Sequence, residues 1–242
     1  MPAPQPEGRA APADLPRFGP PSGGRPSAGW LGGSFDPVHA GHLQIARLAA
    51  DAFGLGAVLL VPASQPPHKR GRTLAPAADR LALLEIACRA DPRLATSDVE
   101  LRRSGLSYSY DTAQQLLAAL PAGTRLHAII GADTLADLPT WHRIRELAAL
   151  VQFCPVTRAG RSLDTAGLRD ALGTEAAEAI ARHALDVPGH PASSTAIRAA
   201  LASGAPPEWL PPGVEDEIRR RGLYGAGGAS SSDSSGVLRS RP

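Results

Sequence analysis

A doubly wound (Rossmann-like) α/β fold, with one parallel sheet covered by helices on both faces, is predicted on three observations. Short apolar runs alternate with segments of helical spacing through the middle of the chain. One run, Ala57 to Pro62 (AVLLVP), is apolar at every position, as a strand buried on both faces must be. A glycine pair, Gly32-Gly33, follows the first apolar run and leads into a helical pattern, which makes a βαβ unit with its turn at the strand's carboxyl end.

The elements follow in order. Trp30 to Gly33 is a short first strand, and His39 to Phe53 has helical spacing through Leu43, Ala46, Leu48 and Ala50, with Gly54 as the C-cap. After the Ala57–Pro62 strand comes a basic loop with Pro66, Pro67, His68, Lys69, Arg70 and Arg72. Pro76 then opens a helix through Ala90. Leu94 to Val99 reads as a strand. Ser107 to Asp111 leads into a helix through Leu120, with Ser109 or Asp111 able to cap it. Arg125 to Ile130 is a strand ending at Gly131-Ala132-Asp133, and Val151 to Val156 is another, with Pro155 near its end. Glu175 to His183 is a helix, Ala184 to Val187 a short strand, and Ser194 to Ala202 and Val214 to Arg221 close the chain as helices.

The 242 residues suffice for one α/β domain, expected over 29–225, between tails. Residues 1–28 are rich in Pro, Gly and Ala without periodicity, and 226–242 are rich in Gly and Ser; both are expected to be disordered. A net charge of +2 does not argue for a nucleic-acid surface. No run approaches a membrane span and no signal pattern opens the chain, so no membrane partner is expected. The two cysteines, Cys88 and Cys154, lie in apolar runs without CxxC spacing and read as buried thiols of a cytoplasmic protein. Oligomeric state is left open, a homo-oligomer included.

The chemistry gathers on Gly32-Gly33-Ser34-Phe35-Asp36-Pro37-Val38-His39-Ala40-Gly41-His42. Glycines allow close backbone approach to a ligand. A helix N-terminus presents unpaired N–H groups and partial positive charge, which suit a phosphate. Two imidazoles three residues apart share a face and can donate to phosphoryl oxygens as charge builds in a transition state. No third ligand of obvious kind stands near the two histidines, so no metal site is expected there. Three further segments carry polar groups suited to anions or rings. Lys69 follows a stiff Pro-Pro pair. Asp133 follows a strand end, with Trp141 and His142 close behind it. Ser193-Ser194-Thr195 open a helix with Arg198 one turn in.

The eleven-residue stretch resembles the HxGH signature of the nucleotidyltransferase superfamily, in the longer form of the bacterial nicotinate-nucleotide adenylyltransferases. Ser107-Tyr108-Ser109-Tyr110-Asp111-Thr112 resembles that family's SYTxDT, with Ser109 for Thr. Gly131 to Trp141 matches its GADxLxxLPxW, with His142 where an aromatic often follows. Ser193 to Arg198 resembles its SSTxIR, preceded by Ala192, and Arg158-Ala159-Gly160 stands where the family has an R-P-G turn. The resemblance implies a nucleotidyltransferase fold and adenylyl transfer from ATP, with Mg²⁺, to nicotinate mononucleotide. It implies catalysis by His39, His42, Lys69 and Arg198. ATP would be held by Gly32, Gly33, Ser34, Phe35, His39, Gly41, His42, Gly131, Asp133, Ser194, Thr195 and Arg198. The mononucleotide would be held by Lys69, Ser107, Tyr108, Ser109, Trp141 and His142. A phosphopantetheine or nicotinamide mononucleotide acceptor, and a non-catalytic nucleotide-binding module, are the alternatives. The pyridine-pocket segments weigh against the first, and the presence of both histidines against the last.

Overall fold

The computed structural model describes residues 25–64, 73–158 and 163–226. The expected leader before residue 25, the basic loop with His68 and Lys69, the Ala159-Gly160 turn and the tail from residue 227 lie outside them.

Six strands form one parallel sheet: β1 (Ser27–Gly33), β2 (Ala57–Pro62), β3 (Leu94–Thr96), β4 (Arg125–Gly131), β5 (Val151–Arg158) and β6 (Leu185–Val187). Their spatial order is β3-β2-β1-β4-β5-β6, and every neighbouring pair is parallel. The order reverses between β1 and β4, which opens a crevice at their carboxyl ends. The helices are α1 (Ala40–Phe53), α2 (Ala77–Cys88), α3 (Ser109–Ala119), α4 (Ala132–Leu135), α5 (Ile144–Leu150), α6 (Ala166–Leu172), α7 (Thr174–Arg182), α8 (Ser194–Ser203) and α9 (Val214–Arg220).

Strand alternation divides the core in two. Leu31, Val58, Leu60, Ile129 and Val156 pack with α1, α2, α8 and α9 on one face. Trp30, Leu59, Val61, Leu126, Ala128, Ile130 and Phe153 pack with α3 through α7 on the other. Helices on both faces are why AVLLVP is apolar at every position.

Several boundaries differ from expectation. β1 starts at Ser27, ahead of the domain start expected at 29, because it is flanked by β2 and β4 and Ala28 is fully buried between them. The strand expected over Leu94–Val99 stops at Thr96. The amides of Leu101 and Arg102 both bond the Asp98 carbonyl and turn the chain. β5 runs on to Arg158, and Pro155 lies just ahead of the β6 ladder, where the strand is paired on one side only. α4, α5 and α6, of 4, 7 and 7 residues, are too short for apolar periodicity to announce.

His127 is a polar intruder in the first core. It is buried on β4, its Nδ1 lies 3.5 Å from the Cys154 Sγ, and its ring stacks on Phe53 of α1. Burial, with Arg125 and His183 adding to it, lowers its pKa from 6.5 to about 4. Between those values the unfolded chain takes up a proton that the folded chain excludes, so stability falls as the pH drops through this window. Urea titrations from pH 7 to 4 should lose up to about 3 kcal/mol to this group. His127→Leu should remove that part of the slope, and an unchanged slope would refute the assignment.

Candidate active site

Gly33 ends β1 and Gly131 ends β4, so both glycine turns open onto the crevice at the sheet's switch point. A cavity of about 590 Å³ lies there. Gly32, Gly33, Ser34, Ser107, Tyr108, Ser109, Gly131, Trp141 and His142 line it, so three segments far apart in sequence converge. Phe35, His39, Gly41, His42, Asp133, Ser194, Thr195 and Arg198 are not among its lining residues. Most of these group instead around the N-terminus of α1, at the other end of the same turn. Asp133, exposed in the first turn of α4, folds its carboxylate over Gly131, where any Cβ would collide with it. Lys69 lies outside the described residues.

At the α1 end, His39 is the N-cap residue and is buried, and its ring stacks on that of His42 with centroids 3.7 Å apart. Gly41 permits this: a Cβ there would stand 3.2 Å from the His39 ring. The His39 amide donates to His42 Nδ1 at 3.2 Å. An accepting Nδ1 leaves Nε2 as the protonated, donating nitrogen of His42. The Phe35 ring stands edge-on to His42 at 4.9 Å, held by a backbone with φ of 46°, a strained value for a residue with a side chain. The first N–H of α1, that of Ala40, is already bonded to the Trp209 carbonyl at 2.9 Å.

Beneath this turn lies a charged cluster that sequence reasoning passed over. Asp36, within the signature, is 3% exposed. Its Oδ1 accepts from the Ala75 amide at 3.1 Å and the Tyr224 hydroxyl at 3.0 Å. Arg198 Nη1 donates to the Asp36 carbonyl oxygen at 2.5 Å and stands 3.6 Å from Oδ2. Ser194 donates its hydroxyl to the Pro37 carbonyl at 2.9 Å. Arg80, 2% exposed, donates to the carbonyls of Ala75, Ser34 and Ala63 at 3.0, 2.6 and 2.9 Å. Burial lowers its pKa, and Asp36 opposes that shift. A signal existed: Arg80 shares the buried face of α2 with Leu83, Leu84 and Ala87, where an unpaired cation is untenable.

At the other end, neither Ser109 nor Asp111 caps α3. Tyr108 is the N-cap in extended conformation, Ser109 is the first helical residue, and Asp111 lies in the first turn. The hydroxyl of Ser107 accepts from the Ser64 amide at 3.2 Å. Glu100 lines the cavity, also unforeseen, and accepts from the buried Thr112 hydroxyl at 2.9 Å. Burial raises its pKa, and hydrogen bonds from Ser107 and Thr112 oppose that shift. Arg103 donates to the Thr112 hydroxyl at 3.1 Å and to Gln115 at 2.9 Å. The His142 ring packs on Tyr108 at 4.4 Å, closing the wall beside Trp141. Among the described residues no three His, Cys, Asp or Glu side chains group as metal ligands, and no helix is long and apolar enough to cross a membrane.

Fold and site together define a nucleotide-transferring α/β protein, and a family model described as cytidylyltransferase-like matches residues 30–200. Curated relatives narrow this. One is the "Probable nicotinate-nucleotide adenylyltransferase" of Solibacter usitatus, 41% identical over 194 residues and covering 80% of this chain and 97% of that one. Another carries the same name in Neisseria meningitidis, 40% identical over 198 residues and covering 81% and 97%. The nicotinic acid mononucleotide adenylyltransferase of Plasmodium falciparum complexed with NaAD shares the fold, with a TM-score of 0.62 at 17% identity over 83% of this chain and 98% of that one. The chain belongs to the nicotinate-nucleotide adenylyltransferase family.

Arg80 bonds three backbone carbonyls that border the signature turn, so Arg80→Met should cost about 3 kcal/mol of unfolding free energy in urea. A loss below about 1 kcal/mol, typical of a neutral surface change, would show that the turn does not depend on it.

Proposed function

We propose that this chain transfers the adenylyl group of ATP to nicotinate mononucleotide, giving nicotinate adenine dinucleotide and pyrophosphate, a step of NAD biosynthesis. One observation carries the reading: a single crevice joins an aromatic-walled cavity at Trp141 and Ser107–Ser109 to a glycine turn that leads to two stacked imidazoles.

The mononucleotide's phosphate oxygen attacks the α-phosphorus of ATP in line. The bond from that phosphorus to the bridging oxygen breaks, and pyrophosphate leaves with the electron pair. The attacking phosphate is already anionic, so no side-chain nucleophile is needed and catalysis is positioning with charge stabilisation. The donating Nε2 of His42, with His39 stacked behind it, stabilises charge on the ATP phosphates. Ser194, Thr195 and Arg198 at the start of α8 hold those phosphates, helped by Lys69. Arg198 Nη1 is engaged by Asp36, so Nη2 is the side of the fork offered to ligand. Gly32, Gly33 and Ser34 let the nucleotide lie close to the backbone, and Asp133 takes a ribose hydroxyl. Trp141 stacks on the pyridine ring, with His142 and Tyr108 beside it. The hydroxyls and amides of Ser107 to Ser109 receive the ring carboxylate. Mg²⁺ is a hard cation that keeps waters and binds phosphate oxygens. In place of the ribose hydroxyl, the exposed carboxylate of Asp133 could hold a magnesium-bound water, and the metal would neutralise polyphosphate charge. Two buried thiols, Cys88 and Cys154, both free, suit a reducing cytoplasm.

Purified protein with ATP and Mg²⁺ should release pyrophosphate faster with nicotinate mononucleotide than with nicotinamide mononucleotide; no release with either would sink the proposal. His42→Ala should lower kcat about 10²- to 10³-fold with little change in KM for ATP. A raised KM with intact kcat would remove His42 from the chemistry.

A further inference from the structure

The cluster around Asp36 joins the site to the turn that follows α9. A short 3₁₀ turn, Leu223–Gly225, follows α9 and lays Tyr224 against the signature turn, 188 residues away in sequence. The placement is not relaxed. Tyr224 has φ of 57° between Gly222 at 62° and Gly225 at 78°, a left-handed value that a side-chain-bearing residue holds only when its surroundings enforce it. In that conformation the hydroxyl bonds Asp36 Oδ1 at 3.0 Å and the ring is partly buried against the first core. Burial and the neighbouring Asp36 carboxylate both raise the phenol's pKa, so the oxygen keeps its proton and remains the donor.

Asp36 in turn fixes Arg198. Oδ1 is committed to the Tyr224 hydroxyl and the Ala75 amide, while Oδ2 and the main-chain carbonyl both face Arg198 Nη1. Among the described residues, the second guanidinium nitrogen, Nη2, reaches the Thr195 hydroxyl alone, at 3.3 Å. The main-chain carbonyl anchors the Arg198 fork, and the carboxylate charge at Oδ2, 3.6 Å away, adds a second pull whose direction depends on the carboxylate's rotation; the tyrosine hydroxyl and the Ala75 amide are the bonds on Oδ1 that set that rotation.

We propose that Tyr224 is a positioning residue for ATP: through Asp36 it aims the Arg198 guanidinium at the polyphosphate, so that the C-terminal turn is part of the active site. The inference rests on the phosphate-holding role given to Arg198 above. It concerns the nucleotide end of the crevice alone, since none of Tyr224, Asp36 and Arg198 lines the aromatic-walled cavity.

The test is a double-mutant cycle in the full-length protein, with initial rates measured against each substrate and melting followed alongside. Tyr224→Phe removes one oxygen. It should raise KM for ATP or lower kcat, together about tenfold in kcat/KM for ATP, and leave KM for the mononucleotide within about twofold. In an Arg198→Ala background the same change should add less than about twofold. Asp36→Asn keeps an acceptor for the phenol and the amide but removes the charge beside Arg198. It should reproduce the ATP-specific loss and supplies the readout if Tyr224→Phe lowers the folded yield. A parallel rise in both Michaelis constants, or losses that multiply in the double variant, would mark Tyr224 as a general stabiliser and overturn the inference while leaving Arg198 its role. Wild-type behaviour of Arg198→Ala would instead remove the phosphate role of Arg198, and the inference with it.

Discussion

One buried carboxylate holds together the end of the crevice beside α1. Asp36 sits in the signature turn, almost without solvent, and gathers groups from residues 75, 198 and 224, with Arg80 close enough to feel its charge. A carboxylate so placed is tenable only when its charge and lone pairs are answered. Here the answers come from the loop before α2, from α8 and from the C-terminal turn. Each of those segments is thereby fixed relative to the end of β1. Arg80 performs the matching service for the backbone, taking the carbonyls of Ser34 and Ala63 that β1 and β2 leave open where they end.

The two ends of the crevice are built on different physics. The end near Trp141 is a cavity with aromatic and backbone walls and a few hydroxyls, a shape suited to a flat ring. The end near His39 and His42 is a convergence of donors and positive charge, suited to a polyanion whatever base it carries. The glycine turn belongs to both, since Gly32 to Ser34 line the cavity while Phe35 onward leads to the imidazoles. The sheet's switch point makes the arrangement possible: β1 and β4 end side by side, yet their following helices depart to opposite faces.

The sheet was legible because its strands are short, apolar and buried on both sides. The run from Ala57 to Pro62 admits no other reading once helices flank it. What failed to show was anything decided by partners distant in the chain. The end of β3 at Thr96 is a local exception: the Asp98 carbonyl takes the amides of Leu101 and Arg102, in a turn that carries no Gly or Pro to announce it. The N-cap of α3 is Tyr108 and not Ser109, and the Ser107 hydroxyl before it accepts from the amide of Ser64, a partner distant in the chain. The motif residues proposed to touch ligands were singled out by their resemblance to a family pattern. Asp36 was quoted within that pattern without a role, and Arg80, Glu100 and Tyr224 went unremarked, because each acts on its neighbours inside the protein. Of the four, Arg80 had a readable signal, a charge on the apolar face of a helix.

The cluster also bears on how a cation can wait for an anion in a protein interior. A guanidinium held at a partly buried site without counter-charge would be costly to keep, and one fully matched by a carboxylate would have nothing to offer a ligand. Arg198 lies between these limits. Its Nη1 contacts a main-chain oxygen at hydrogen-bond distance, while the carboxylate oxygen stands farther off, at 3.6 Å. Tyr224 and Ala75 hold Oδ1 on the far side of that carboxylate, and the charge of Arg80 offsets part of what remains. The result is a fork held in place mainly by a neutral oxygen, with its charge only partly compensated. That is the condition under which a polyphosphate gains most from meeting an arginine whose orientation has been fixed beforehand.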